Sequence, residues 1–249
     1  MKITTSVRTN DKLIERAKEI AHQKKFDYIE RKKQTVKDIL RKYKEVVVVY
    51  KDKLVYYNEE NEFFFHPDTA FLRIKNNDNE PLIEIINAEN QRVLDATMGL
   101  ASDSIVISYY GHKVVAVEKS EIIHLIVSKG LKNYISDNKM LIKALRNIET
   151  ILSDNLEYLK NCTDNSFDVV YFDPMFINSI MESNNLQGIE KIASRDSLSE
   201  ELLVEAKRVA SKKIVVKAHF RDDIFEKFGF KRIVRKNSKF HYGVIELDK

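Results

Sequence analysis

The segment that decides the fold runs from Val93 to Asp103 and reads VLDATMGLASD. Its apolar start is typical of a buried parallel strand, and residues 101–110 follow a helical pattern. The residues between them therefore form a strand-to-helix turn at the edge of an open sheet, which is where α/β proteins bind their ligands. Gly99 lacks a Cβ and so leaves room for a ligand to approach the backbone of this turn.

Acidic side chains follow the first two predicted strands of this sheet. Asp95 ends the first strand and is expected to face the ammonium end of a nucleoside cofactor. Glu118 ends the next strand, 19 residues after Gly99, an offset at which an acid accepts hydrogen bonds from both ribose hydroxyls. A G-x-G-x-x-G motif is absent, which argues against a nicotinamide or flavin dinucleotide. Ser102 or Asp103 is expected to cap the helix that follows the turn.

A later apolar strand ends in Asp173-Pro174, within the segment SFDVVYFDPMF at residues 166–176. This places a carboxylate and a carbonyl oxygen at the same edge of the sheet as the first two acids. Two such acceptors can hold the hydrogens of an exocyclic base amine, and Phe176 can stack on the base. The predicted catalytic residues are therefore Asp173, Pro174 and Phe176, and the chemistry needs neither a metal nor a covalent intermediate.

These motifs give residues 93–249 a resemblance to class I methyltransferases that use S-adenosyl-L-methionine (SAM). More specifically, the segment resembles the bacterial small-subunit ribosomal RNA (guanine-N2)-methyltransferase family. The shared features are the turn at residues 95–103, Glu118 followed by a basic residue, the DPMF tetrad at 173–176 and the IVVK stretch at 214–217. The resemblance and the motifs together predict the following contacts with SAM: Asp95, Thr97, Gly99, Ser102, Asp103, Glu118, Lys119, Asp154, Asn155 and Asp173.

The chain also departs from the pattern of that family. Ala101 stands where the family usually has a second Gly, a change that Ala tolerates if the backbone φ is negative. Residues 177–185 (INSIMESNN) contain no Lys or Arg, whereas the family continues there with basic residues suited to RNA. This second departure concerns the substrate and leaves the cofactor prediction intact. The stretch HPDTAFLRI at residues 66–74 resembles a further group of predicted methyltransferases.

Alternating strands and helices predict an α/β fold with a seven-stranded Rossmann-like sheet, helices on both faces and a closing antiparallel pair of strands. Residues 79–249 are predicted to form this methyltransferase domain. Residues 1–78 are predicted to form a small α+β module in which Asn10 and Thr35 cap two helices. The single Cys162, the scattered histidines and the lack of a long apolar run predict a cytoplasmic protein without a metal, a membrane span or a secretion signal.

The charge distribution suggests where a polyanion would bind. Residues 1–75 hold 18 Lys and Arg against 12 Asp and Glu, a net charge of +6, while the full chain has +4. One basic cluster comprises Lys24, Lys25, Arg31, Lys32 and Lys33. A second comprises Arg221, Lys227, Lys231, Arg232, Arg235, Lys236 and Lys239. Lys217 and His219 are expected to flank the mouth that admits the acceptor.

The sequence therefore predicts a SAM-dependent N-methyltransferase that acts on RNA, with guanine N2 of small-subunit ribosomal RNA as the favoured acceptor. One alternative is a methyltransferase for a small molecule or a protein side chain. Another is a module that binds SAM or RNA without turnover, although binding SAM alone would not require Asp173 and Pro174.

Overall fold

A computed structural model describes residues 1–76, 80–174 and 198–248 of the chain. Its first part is a five-stranded mixed sheet with helices packed against it. In chain order the elements are β1 (Lys2–Thr5), α1 (Asp11–Lys24), β2 (Asp27–Tyr28), α2 (Val36–Tyr43), β3 (Glu45–Val49), β4 (Leu54–Asn58), β5 (Glu62–Phe64) and α3 (Asp68–Lys75). The strand order is β2-β1-β3-β4-β5.

The predicted helix starts of this first part are confirmed by the cap geometry. The Asn10 side chain accepts a hydrogen bond from the Leu13 backbone N–H, and Thr35 and Asp38 form a reciprocal capping box. Strands β3 and β4 pair as an antiparallel hairpin. Strands β1 and β2 were not predicted, because four and two residues are too few to show a periodicity.

The second part is a seven-stranded sheet with helices between its strands. Its elements are α4 (Pro81–Ile86), β6 (Arg92–Asp95), α5 (Ser102–Tyr109), β7 (Lys113–Glu118), α6 (Glu121–Asn133), α7 (Lys139–Asn147), β8 (Glu149–Leu152), α8 (Asn155–Asn161), β9 (Phe167–Phe172), α9 (Glu200–Val209), β10 (Ala210–His219), α10 (Ile224–Lys227), β11 (Lys231–Ile233) and β12 (Phe240–Glu246).

The topology of this sheet confirms the predicted fold class. The strand order is β11-β12-β10-β9-β6-β7-β8, and β10, β9, β6, β7 and β8 run parallel. Strand β12 runs antiparallel to both of its neighbours and supplies the expected reversed strand. The chain order reverses between the adjacent strands β6 and β9, so a crevice opens beyond their carboxyl ends.

The start of α5 differs from the prediction in two respects. Neither Ser102 nor Asp103 caps the helix, since its N-cap is Ala101, which makes no side-chain capping bond. The condition under which Ala replaces Gly easily, a negative φ, is also not met, because the φ of Ala101 is 60°. A left-handed alanine costs about 1 kcal/mol, and complete burial of the Ala101 methyl group offsets a similar amount.

The two sheets share one hydrophobic core. A single cluster of buried side chains joins Ile3, Val47 and Phe65 of the first part to Ile105 and Ile123 of the second. The predicted boundary between residues 78 and 79 lies outside the described residues, and the division into domains stays a prediction. Within the described ranges, no helix is both long and apolar enough to cross a membrane.

Gly130 of α6 provides a test of this shared core. A Cβ at Gly130 would overlap the Cβ, Cγ and Cδ1 atoms of Phe65. Ala is favoured over Gly in a helix by about 1 kcal/mol, whereas overpacking costs about 1–3 kcal/mol. The overlapped atoms form the root of the Phe65 side chain and cannot swing aside, so overpacking should dominate. We expect Gly130→Ala to lower the free energy of unfolding by up to about 2 kcal/mol in urea denaturation.

The control is the same substitution in a Phe65→Ala background. Without the ring, the helical preference for Ala remains, so Gly130→Ala should there be neutral or stabilising. An equal loss of stability in both backgrounds would contradict the proposed contact between Gly130 and Phe65.

Candidate active site

A cleft with about 490 Å³ of space, part of it open to solvent, lies at the carboxyl edge of the seven-stranded sheet. This is the crevice that the reversal between β6 and β9 creates. Several residues predicted from the sequence line it: Thr97, Gly99, Glu118, Lys119, Asn155, Asp173 and Pro174. The turn after β6, the end of β7, the start of α8 and the end of β9 therefore meet in one place, as predicted.

Glu118 is fixed in the wall of this cleft by two backbone donors. One carboxylate oxygen accepts a hydrogen bond from the Gly99 N–H at 3.1 Å, and the other accepts one from the Ser120 N–H at 2.8 Å. Burial raises the pKa of Glu118. Gly99 has a φ of 48°, and the only atom near its missing Cβ is the Thr97 carbonyl oxygen at 3.9 Å. The turn therefore has both the conformation that favours Gly and open space in front of it.

Asp95 is buried behind the turn and does not line the cleft among the described residues. Its carboxylate accepts hydrogen bonds from the Thr97 N–H and from the Ser104 hydroxyl, which tie the turn to α5. Burial raises the pKa of Asp95 to about 7, and the nearby Asp103 charge adds to the rise. The predicted contact of Asp95 with the cofactor's ammonium group stays a prediction.

Asp154 and Asn155 have different environments at the start of α8. Asp154 caps the helix by accepting bonds from the Leu156 and Glu157 N–H groups, and its carboxylate lies 2.9 Å from the Lys119 ammonium. Asn155 lines the cleft. The neighbouring pair thus presents an amide to the cleft, while the carboxylate is engaged by the helix and by Lys119.

A row of charged side chains, most of them largely buried, lies behind Asp173. The Lys217 ammonium lies 2.6 Å from one Asp173 oxygen and 3.0 Å from one Asp103 oxygen. The other Asp103 oxygen accepts a bond from the Arg73 guanidinium at 2.6 Å, and Arg73 also pairs with Glu80. The Asp173 N–H donates to the Thr97 hydroxyl at 2.6 Å, which joins β9 to the turn after β6.

The pKa values of these groups follow from burial and from the sharing of cations. Burial raises the pKa of Asp173 to about 6, although the Lys217 ammonium opposes the rise. Burial also favours the neutral form of Asp103, but Lys217 and Arg73 together hold its pKa well below the usual range. For Lys217, the two carboxylates outweigh burial and raise its pKa. At neutral pH these charged side chains are therefore mainly ionised.

The structure places three predicted residues differently from the sequence interpretation. Lys217 is mostly buried between two carboxylates rather than standing at an open rim. His219 is also buried, its Nδ1 accepts a bond from the Arg221 N–H, and it does not line the described cleft. Ser102 is likewise absent from the described lining. Phe176 lies outside the described residues.

Arg73 and Glu80 were not predicted as residues of this site. Arg73 belongs to the stretch HPDTAFLRI that had been singled out, but the sequence held no signal that it would reach α5. Across residues 1–76, 80–174 and 198–248, no group of three or more His, Cys, Asp or Glu side chains is arranged to hold a metal ion.

The first basic cluster is smaller than the sequence suggested. Arg31 is only 6% exposed, its Nε and Nη1 atoms are buried without a hydrogen-bond partner, and burial lowers its pKa. Lys24 is mostly buried and lies 3.6 Å from Glu121. The exposed members of this cluster are therefore Lys25, Lys32 and Lys33.

Comparison with known proteins identifies the family. Residues 63–241 match a family model described as "Putative SAM-dependent methyltransferase". The chain belongs to this family. This SAM-dependent methyltransferase is 36% identical to "Uncharacterized protein YpiP" of Bacillus subtilis over 98% of both chains. It is also 35% identical to ribosomal RNA small subunit methyltransferase J of Buchnera aphidicola, over 50% of this chain and 51% of that protein. The second match thus spans about half of the relative's length.

A solved structure shows the same fold. The methyltransferase is similar to the crystal structure of a SAM-dependent methyltransferase from Neisseria gonorrhoeae, with a TM-score of 0.67. The superposition covers 99% of this chain and 96% of that chain at 16% sequence identity. Together with the family match, this fold makes the protein a class I methyltransferase whose cofactor is SAM.

The cleft suits this cofactor. The carboxylates of Glu118 and Asp173 line it, and negative side chains complement the positive sulfonium and ammonium groups of SAM. The open space at Gly99 lets a ligand approach the turn.

Glu118→Ala tests the predicted ribose contact. The substitution removes the oriented carboxylate, and a lost hydrogen-bonding group in such a site costs about 1–3 kcal/mol. We expect SAM and its demethylated product to bind more weakly by that amount in calorimetry. Glu121→Ala is the control, because this exposed residue lies three positions further on and outside the described cleft lining. Equal affinities for wild type and Glu118→Ala would remove Glu118 from the cofactor site.

Proposed function

We propose that this methyltransferase acts on RNA, at an exocyclic amine of a base, with guanine N2 of small-subunit ribosomal RNA as the favoured acceptor. The observation that carries the proposal is the position of Asp173 and Pro174 in the cleft wall, directly after β9. The similarity to ribosomal RNA small subunit methyltransferase J over half of the chain supports the choice of RNA.

The residues of the cleft wall are proposed to contact different parts of the cofactor. Glu118 binds the ribose, Gly99 and Thr97 line the turn, and Lys119 and Asn155 lie toward α8. The residues behind the wall act indirectly, because Asp95 fixes the turn, Asp154 fixes the start of α8 and Asp103 fixes Lys217. When bound, SAM supplies an electrophilic methyl group.

Asp173 and Pro174 are proposed to prepare the acceptor. An exocyclic base amine is a poor nucleophile, because its lone pair is delocalised into the ring. The Asp173 carboxylate and the Pro174 carbonyl oxygen can each accept one amine hydrogen and so direct the lone pair toward the methyl group. With a pKa of about 6, Asp173 is mainly ionised at neutral pH and can also take the proton that the nitrogen releases. Phe176 is proposed to stack on the base.

The surface beyond the end of β10 supports an RNA acceptor. Phe220 follows β10 directly, its side chain is 39% exposed, and the Arg221 guanidinium lies 5.2 Å from the centre of its ring. An exposed aromatic ring beside arginine is a typical stacking platform for an unpaired base. Lys217 lies in β10, three residues before Phe220, so the backbones of the two residues are only about 10 Å apart.

Two other residues of the second basic cluster, Arg232 and Lys239, contact the Phe220 backbone. Arg232 does not belong to the open surface, because it donates to His241, Glu226 and the Phe220 carbonyl oxygen. Its bonds instead fix the position of Phe220. Two exposed cations next to Phe220 are suited to phosphate contacts: Arg221, which follows it in the chain, and Lys239, whose carbonyl oxygen accepts a bond from the Phe220 N–H.

The decisive experiment is methyl transfer from tritiated SAM to ribosomal RNA that lacks the modification. We expect Asp173→Ala to lower the transfer rate by at least about a hundredfold with a much smaller effect on SAM affinity, because the carboxylate acts on the acceptor. Asp164→Ala, at an exposed aspartate that pairs with Arg208, is the control. Full activity of Asp173→Ala would exclude the proposed mechanism. Transfer to proteins or small molecules instead of RNA would exclude the proposed substrate.

Phe220→Ala tests the stacking platform separately. Loss of one base stack should weaken the binding of a ribosomal RNA fragment by about 1–3 kcal/mol. The slope of log affinity against log salt should not change, because no charge is lost. Val204→Ala, at an exposed apolar residue of α9, is the control. If Phe220→Ala bound RNA as tightly as Val204→Ala, the surface after β10 would not be part of the RNA interface.

A further inference from the structure

Arg73 links the N-terminal part of the chain to the candidate active site. It lies in α3, and its guanidinium donates to Asp103 of α5 at 2.6 Å. The same group donates to both carboxylate oxygens of Glu80, at 3.2 Å and 2.5 Å. Arg73 does not line the described cleft, and the proposed chemistry has no direct use for a guanidinium at this place. Its buried ion pairs therefore need another explanation.

The explanation lies in how Lys217 is shared. The single ammonium group of Lys217 is bonded to Asp173 at 2.6 Å and to Asp103 at 3.0 Å. With Arg73 in place, Asp103 has a second cation and does not depend on Lys217 alone. If the charge of Arg73 were lost, Asp103 would compete with Asp173 for the one ammonium group, because a buried carboxylate without a cation is costly.

We propose that Arg73 is a positioning residue for methyl transfer: by neutralising Asp103, it leaves Lys217 available to hold the Asp173 carboxylate in its acceptor-binding position. This inference deepens the proposed function and rests on it for the role of Asp173. It also gives the N-terminal part of the chain a role in the reaction, since α3 must be docked for Arg73 to reach Asp103.

Charge balance determines the consequence of losing Arg73. The titratable groups that act on Asp173 come from four elements around it: Lys217 of β10, Asp103 of α5, Asp95 of β6 and Tyr171 of β9. Burial raises the pKa of Tyr171, so its phenol stays neutral. Removing the positive charge of Arg73 leaves the carboxylates with less compensation. A proton should then bind more readily to those whose pKa is already raised, which are Asp173 and Asp95.

The test is a titration of Asp173 in the full-length protein, which needs no acceptor. Aspartate labelled with ¹³C at the side-chain carboxyl carbon is followed by NMR from pH 4 to pH 9, and the Asp173 signal is assigned by its absence in Asp173→Asn. We expect Arg73→Met to raise the apparent pKa of Asp173 by about one unit. Arg73→Lys retains the charge and should leave the apparent pKa close to that of the wild type.

Glu80→Gln is the matched control, because it breaks the same ion pair from the other side. It removes a negative charge and leaves Arg73 more available to Asp103, so the apparent pKa of Asp173 should fall or stay unchanged. A purely structural role for the pair predicts instead that Arg73→Met and Glu80→Gln act alike. In the double variant Arg73→Met with Glu80→Gln, the apparent pKa of Asp173 should lie between the values of the two single variants, because the net charge of the wild type is restored.

Two results would overturn the proposal: an unchanged titration of Asp173 in folded Arg73→Met, or an upward shift in Glu80→Gln. If Arg73→Met does not fold, Arg73→Lys and Glu80→Gln still test the proposal. A raised apparent pKa of Asp173 in either variant contradicts a role for the charge of Arg73. Failure of the proposed RNA function would appear differently. In that case ribosomal RNA would not be methylated by the wild type, while the apparent pKa of Asp173 would still rise in Arg73→Met and not in Glu80→Gln.

Discussion

Three carboxylates share two cations at the carboxyl edge of the large sheet in the described part of the chain: Glu80, Asp103 and Asp173 with Arg73 and Lys217. A charge is tolerated in a protein interior only if partners replace the water it has lost. Removing one partner from such an arrangement typically costs about 3–5 kcal/mol, because it leaves an uncompensated charge. The positions of these groups are therefore strongly constrained.

This constraint connects parts of the chain that are far apart in sequence. Lys217 comes from β10, Asp173 follows β9, Asp103 belongs to α5 and Arg73 belongs to α3. The hydrophobic core reinforces the connection, since Phe65 packs against Gly130 only a few residues before α3 begins. The N-terminal part is thus held by apolar packing on one side and by ion pairs on the other. The docking of the N-terminal part and the position of Asp173 are therefore connected through the ion pairs of Arg73, Asp103 and Lys217.

Features that depend on local spacing could be predicted from the sequence. The turn after β6, the acid that ends β7 and the caps Asn10 and Thr35 each follow from a few neighbouring residues. Contacts that depend on tertiary structure could not. Arg73 and Asp103 are 30 residues apart, and nothing in their local sequence indicates that they pair.

Burial explains the other differences between sequence and structure. Arg31 follows the pattern of an exposed basic run, yet the chain folds its guanidinium into the interior beside Tyr50 and Tyr57. Ala101 adopts a left-handed conformation although its residue type disfavours it, because its methyl group is completely buried. In both cases packing that only the folded chain defines outweighs the preference of the isolated residue.

The central claim is that Asp173 presents a guanine amine of small-subunit ribosomal RNA for methylation. The most direct measurement is mass spectrometry of nucleosides from that RNA, isolated from cells in which the gene is deleted. The deletion strain is compared with strains that carry the wild-type gene or the Asp173→Ala variant. The account predicts N2-methylguanosine with the wild-type gene and a loss of one such nucleoside in the other two strains. Identical nucleoside profiles in all three strains would contradict it.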